Sequence, residues 1–241
     1  MSWWTPWTWG ATLQAEHLAW NLASVAPAIR PGDRVLDLGA WDCKLGAAIR
    51  DQLGAHVVGA DVVDRNQTDL ELRLLEDGHV PTAPGETFDV VLVLYVLHHA
   101  KDDRAVLAEA QRVLAPGGTI VVGEDRADSF GARVRAIGFH VWLLLFTFMG
   151  WRGEFRTDAA WRARFASCGL RVSSHRTLGA SRWWFPVNDL YTLTAAAPAR
   201  EQPVDGPLAP VQRRVGDEDQ RIREHDGHER DHADVEAPGR D

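Results

Sequence analysis

The chain has 241 residues, 45% of them hydrophobic, enough for one sizeable core and a small accessory element. A net charge of −8 leaves no basic footprint for nucleic acid. The two cysteines, Cys43 and Cys168, are far apart and in no paired motif, so neither a disulfide framework nor a zinc site is indicated; no metal is expected.

In chain order, Thr12 to Ala26 reads as a helix that Pro27 and the turn "RPGD" bring to an end. Arg34 to Leu38 is a short apolar strand. Lys44 to Leu53 is an amphipathic helix with Leu45, Ala48, Ile49 and Leu53 inward and Gly54 as its stop. "HVVGAD" is the second strand and ends on Asp61. Residues 65–77 are expected to hold a short helix and a weak third strand near Leu72–Leu75. "FDVVLVLYVLHH" is nearly continuous in apolar residues, as a parallel strand covered on both faces requires. A helix over Asp102 to Leu114, the tight turn "APGG" and the strand "TIVVGED" follow.

Residues 126–150 break the rhythm. "IGFHVWLLLFTFMGW" is too short to span a bilayer and reads as a buried helix over a cleft, or as a lid that lines an apolar pocket or touches a membrane surface. "RTDAAWRARFASCGL" is a helix capped by Thr157 or Asp158, with Trp161 and Phe165 inward and Gly169 at its end. "RVSSHRTL" and "LYTLTA" finish as strands, the last antiparallel. From Ala199 onward the chain is mostly charge, Pro and Gly, with acidic residues outnumbering arginines; 199–241 reads as a disordered tail. The whole predicts an α/β, Rossmann-like, doubly wound, mostly parallel seven-stranded sheet with an antiparallel last strand over residues 1–198. The N-terminus lacks a basic segment followed by an apolar run, so a secretory signal is not read there, and a reducing cytoplasm is the expected setting.

"VLDLGAWDCKLG" carries the chemistry. Gly39 lets the chain turn sharply and lets backbone approach a ligand, and the next helix opens with free N–H groups. A pyrophosphate loop needs further glycines where this chain has Trp41 and Cys43. A ligand with a zwitterionic amino-acid end asks for less: one close glycine and carboxylates to meet an ammonium. Asp61, about 24 positions after Asp37, is placed to hold a ribose diol. An adenosine with an amino-acid arm fits that set better than a nicotinamide dinucleotide.

With "GADVVDR" and "EDGHVPTAPGETFDVVLVLYVLHHAKDDRAVLAEAQRVLAPGGTIVVGED", the chain resembles the class I S-adenosylmethionine-dependent methyltransferases of the type 11 small-molecule group. The resemblance covers about residues 30–125 and continues more loosely to Ala196. It implies that Asp37 and Gly39 contact the methionine end of S-adenosylmethionine, that Asp61 holds the ribose hydroxyls, and that Ala40, Trp41 and Val62 also line the cofactor. Asp77 and Gly78 would lie by the adenine, and Tyr95 would border the sulfonium. It departs from the family at Trp41 and Cys43, where glycine is preferred.

Methyl transfer from a sulfonium needs chiefly alignment, and a base only where the acceptor must lose a proton. His98 and His99, after the fourth strand, are the candidate catalytic base or acceptor contacts. Glu124 at the end of the fifth strand, His99, Trp4 and Trp142 are the candidate substrate contacts. The place after the fourth strand reads "YVLHHA" and lacks the Asn/Asp-Pro-Pro-aromatic signature of amide and base methylation. Eleven Trp, four of them in "MSWWTPWTWG", suit a hydrophobic small-molecule or lipid-like acceptor methylated at oxygen or carbon; peripheral membrane contact is the rival explanation. The alternatives are a catalytically inactive binding module on the same fold and a nicotinamide-dependent oxidoreductase.

Overall fold

The computed structural model describes residues 6–147, 154–182 and 185–196, and the side chains of 14–141, 154–182 and 185–196. All of these lie in the compact unit Met1–Pro198. The tail read from 199 onward, and Trp4, lie outside the described residues, as does the side chain of Trp142.

Seven strands form one sheet in the order β3-β2-β1-β4-β5-β7-β6. They are β1 (Arg34–Leu38), β2 (His56–Asp61), β3 (Leu72–Leu74), β4 (Phe88–Leu94), β5 (Leu114–Asp125), β6 (Leu170–Gly179) and β7 (Asn188–Ala195). β1 to β5 pair in parallel, and β7 runs antiparallel to both β5 and β6. The strand order reverses between β1 and β4, so the loops after those strands part and leave a crevice at their C-terminal ends.

Alternation along the central strands splits the core in two. Val35, Val90 and Leu92 face α1 (Pro6–Val25) and α2 (Lys44–Leu53), meeting Leu22, Val25 and Ile49. Leu36, Val91 and Val93 share the opposite cluster with Leu107 of α3 (Asp103–Arg112) and Trp161 and Phe165 of α5 (Asp158–Ser167). Three of the helices carry their own stop or start. Gly54 closes α2 at φ 70°, its N–H returning to the Arg50 carbonyl. Asp102 caps α3 by accepting from the Arg104 and Ala105 N–H groups. Thr157 caps α5 by accepting from Ala160 N–H.

Three details differ from the sequence reading. No helix forms in 65–77: Asn66 accepts from Thr68 N–H and Oγ1 and donates to the Leu70 carbonyl, so a polar side chain holds the loop in turns. "APGG" is not a separate turn but bulges out of β5, whose pairing with β4 passes from Phe88↔Leu114 directly to Val90↔Thr119. β4 stops at Leu94, because Tyr95 takes φ 59° and turns the chain over. Among the described residues, no helix is long and apolar enough to cross a membrane.

Candidate active site

The expected donor side of the crevice lies at the tips of β1 and β2 and the expected acceptor side after β4 and β5. On the first, Gly39 stands at φ 89°, and its N–H and that of Ala40 both donate to the Ala60 carbonyl, at 2.7 and 3.0 Å. A Cβ built on Gly39 would lie 2.3 Å from Cγ2 of Val96. Gly39 is thus required twice, for its left-handed backbone and for the contact between the loops after β1 and β4. Trp41 and Cys43 also adopt positive φ, 52° and 62°. The loop therefore keeps a glycine-like path through two residues that are not glycine.

The Trp41 indole does not fill the crevice. It is 41% exposed, with the Arg65 guanidinium 4.1 Å from the ring centroid. Its backbone N–H donates to Asp61 Oδ2 at 2.9 Å, while Asp61 Oδ1 accepts from Val62 and Val63 N–H at 2.7 and 3.2 Å. Asp61 is thereby fixed at the tip of β2, half-buried. Cys43 is fully buried, and burial, with the surrounding carboxylates, pushes its thiol up to about 11. It has no nucleophilic character there.

Asp37 is buried at the tip of β1. Burial raises its carboxyl to about 7, and the Asp61 and Asp42 carboxylates add to the rise. Three carboxylates thus gather beside one buried position, while Lys44, 2.7 Å from Asp42, meets only the outermost. This donor set asks for a cationic ligand and fits one that carries an ammonium. Asp77 and Gly78 form the exposed tip of a two-residue turn, closed by reciprocal Glu76–His79 backbone hydrogen bonds of 2.9 Å. That turn follows β3, whose Leu74 pairs with Asp61.

On the acceptor side, Glu124 is fully buried with both oxygens committed, one to the Leu97 N–H at 2.9 Å and the other to His98 Nδ1 at 2.6 Å. It secures the loop after β4 and does not face the rim, as a direct acceptor contact would have to. His98 is 1% exposed, and its Nε2 lies 3.0 Å from Nε2 of His140 on α4 (Phe130–Thr147). The hydrogen-bond roles follow from the partners. His140 Nδ1 lies 2.9 Å from the Ala136 carbonyl, to which it can only donate. Burial holds the His140 imidazole down at about 4, so the ring is neutral and its Nε2 accepts. His98 then donates from both nitrogens. Burial alone would lower its pKa, but the Glu124 carboxylate outweighs burial and raises it. His98 and Glu124 form a buried ion pair, and His99, half-buried beside them, is left as the histidine nearer the rim.

Tyr95 donates to Asn21 Oδ1 of α1 at 3.2 Å. Its ring lies 6.2 Å from that of His17, which with Glu16 and Trp20 of α1 and Ser181, Arg182 and Phe185 lines a shallow cavity. His17 stacks on Trp20, meets Phe185 edge-on, and keeps its buried Nδ1 without a hydrogen-bond partner. Sequence reasoning missed this wall and His140. His17 sat in an ordinary amphipathic pattern, and His140 in a run otherwise apolar. α4 also shows an outward stripe of Phe130, Val134, Ile137 and Val141, so its described part is not a fully buried helix.

A family model described as a methyltransferase domain matches residues 36–122. Among curated proteins, an arsenite methyltransferase of Halobacterium salinarum is 33% identical over 114 residues, 40% of this chain and 28% of that protein. A ubiquinone biosynthesis O-methyltransferase of Cereibacter sphaeroides is 34% identical over 106 residues, 40% of this chain and 42% of that protein. The chain thus spans less than half the length of either relative. Among solved structures, the magnesium protoporphyrin IX methyltransferase of Synechocystis PCC 6803 with bound SAH superposes with a TM-score of 0.55 at 16% identity, over 82% of this chain and 90% of that one, which speaks for the fold. The methyltransferase-domain match spans β1 to β5, and over that stretch the chain is similar to the S-adenosylmethionine-dependent methyltransferases.

Proposed function

We propose that this chain transfers a methyl group from S-adenosylmethionine to oxygen or carbon of a hydrophobic small molecule. The observation that carries the reading is the gathering of Asp37, Asp42 and Asp61 at the tips of β1 and β2, a concentration of negative charge in which, among the described residues, Lys44 pairs with Asp42. The cofactor, when bound, supplies an already activated methyl on a sulfonium. Asp37, Gly39 and Ala40 take its methionine end, and ionised Asp37 meets the ammonium. Asp61 holds the ribose hydroxyls: a carboxylate offers about four acceptor positions, and three N–H groups aim it without using all of them. Val62 and the backbone of Trp41 flank the ribose, Asp77 and Gly78 the adenine, and Tyr95 the sulfonium.

The acceptor side is aromatic and sparingly polar. His17, Trp20 and Phe185 supply flat apolar surface, and Tyr95 and Asn21 a single polar pair. The relative named for ubiquinone biosynthesis is in keeping with an acceptor of that kind. Where the acceptor must lose a proton, His99 takes it. His98 is a positioning residue, because its own protons are held by Glu124 and His140.

Calorimetric titration of the full chain with S-adenosylmethionine and with its demethylated product tests the donor half. Binding at micromolar concentration, lost in Asp61→Ala, is expected; absence of heat at about 1 mM would sink the proposal. The acceptor half is tested by release of the demethylated product with a panel of phenols, quinols and simple amines. Turnover confined to the amines would contradict the reading of the aromatic wall.

A further inference from the structure

His98, His99 and His140 come from two elements that the sequence separates by 42 positions between His98 and His140, yet their candidate ligand nitrogens all lie within 4.8 Å of one another. Two of the rings are held with the same atom forward. Glu124 occupies Nδ1 of His98 at 2.6 Å, and the Ala136 carbonyl occupies Nδ1 of His140 at 2.9 Å, so Nε2 of each points at the other across 3.0 Å. Asp125, whose carboxylate also accepts from Asn188 Nδ2, stands 3.7 Å behind His140. Phe155 covers the group, its ring centroid 5.2 Å from that of His98 and 4.7 Å from that of His140.

We infer that His98, His99 and His140 form a binding site for a first-row divalent transition ion, zinc foremost. Metal-bound imidazoles characteristically direct the second ring nitrogen to a carboxylate or a backbone carbonyl, which fixes the tautomer and aims the ligand atom. Both partners are present here and both are buried. Two nitrogens bound to one zinc at Zn–N distances near 2.0–2.1 Å lie roughly 3.3 Å apart at a tetrahedral angle. The observed 3.0 Å between the Nε2 atoms needs a separation of a few tenths of an ångström and a tilt of each ring by roughly 35°, so that the two lone pairs converge on an ion beside the line that joins them. The ion displaces the proton that His98 Nε2 now donates, and that proton is released to solvent. Rotation of the half-buried His99 brings in the third nitrogen. An all-imidazole set favours zinc, copper, nickel or iron over magnesium and calcium. Three protein ligands leave a position open for an outside oxygen, of water or of a bound hydroxyl. The ion also ties α4 to the loop after β4.

In the metal-bound chain His99 is a ligand and not the proton acceptor; the inference is otherwise independent of methyl transfer, and its test uses no cofactor. The probes are Zn2+ and Co2+, titrated into the full chain after treatment with chelator. His225, His228 and His232, outside the described residues, are first replaced by Asn so that they bind nothing. One Zn2+ per chain with Kd below about 1 μM is expected, together with a rise in thermal midpoint. Co2+ is expected to give the intense visible bands of a low-coordinate site. His99→Ala and His140→Ala should each weaken Zn2+ binding at least 100-fold, and Glu124→Gln by 10–100-fold through the orientation of His98. If His140→Ala or Glu124→Gln fails to fold, His99→Ala decides. Binding no tighter than 100 μM, or binding unaltered by His99→Ala, overturns the site.

Discussion

Replacing Gly39 by Ala tests how closely the two sides of the crevice are joined. The new methyl would lie 2.3 Å from Cγ2 of Val96 and on a backbone at φ 89°. The left-handed conformation costs an L-residue about 1–2 kcal/mol. Overpacking adds about 1–3 kcal/mol, because a β-branched Val has little rotamer freedom with which to retreat. Loss of glycine's freedom in the unfolded chain returns about 0.4–1 kcal/mol. The expected net destabilisation is about 2–4 kcal/mol. Val96→Ala alone should cost about 1 kcal/mol, for two half-buried methyl groups. The pair should not add: with Val96 trimmed, only the backbone part of the Gly39→Ala cost remains, which gives a coupling of about 1–3 kcal/mol. Urea denaturation of the four proteins, followed by circular dichroism with m-values compared, measures it. Additivity within about 0.5 kcal/mol would refute the claim that the loops after β1 and β4 touch at this point.

Four further outcomes follow from the geometry. Asp37 binds its proton more tightly in the folded chain (about 7) than in the unfolded one, near 3.9, so it makes stability fall as pH rises from about 4 to 7; the difference in urea midpoint between the native chain and Asp37→Asn should show that slope. Glu109 is the opposite case. Burial works against its charge, but hydrogen bonds from Arg112, His79 and the Val80 N–H prevail and bring it to about 2; its contribution is present above about pH 4.3 and lost as pH falls toward 2, so Glu109→Gln should flatten the acid limb of the unfolding curve by roughly 1–2 kcal/mol, Arg112 and His79 being well exposed. Asp61→Ala removes the acceptor of three N–H groups and should lower affinity for S-adenosylmethionine by at least about 10-fold in calorimetry, with a stability loss of about 1–3 kcal/mol. Trp41→Gly should leave cofactor affinity within about 3-fold, since the indole lies outward under Arg65; a loss of 100-fold would mean that the ring is part of the pocket.

Much of the scaffold was legible because its signals are local. Gly54 ends α2 where a left-handed residue is needed, and Asp102 and Thr157 start helices by accepting N–H bonds two or three residues on. The donor loop was legible for a similar reason: Asp37, Gly39 and Asp61 sit at strand tips that the alternation of strands and helices predicts. The acceptor side was not. The apolar run through Leu97 concealed the point where Tyr95 turns the chain out of β4, since a left-handed backbone has no hydropathy signature. Glu124 stood in plain view at a strand tip, but its commitment to His98 appears only once β4 and β5 are known to be neighbours. His140 was hidden by its surroundings, since one polar residue in an apolar helix reads as an exception until His98 is placed opposite it.

α1 is fastened by residues from the far end of the domain. Arg176 donates to the Ser24 carbonyl, 152 positions away, and Arg182 pairs with Glu16. The wall of the cavity is therefore split between α1 and a hairpin that comes more than a hundred residues later in the chain. Closing so long a loop is slow relative to local pairing. Newly made chains should pass through a stage in which the sheet around β1, β2 and β4 is complete while α1 still lies unfastened.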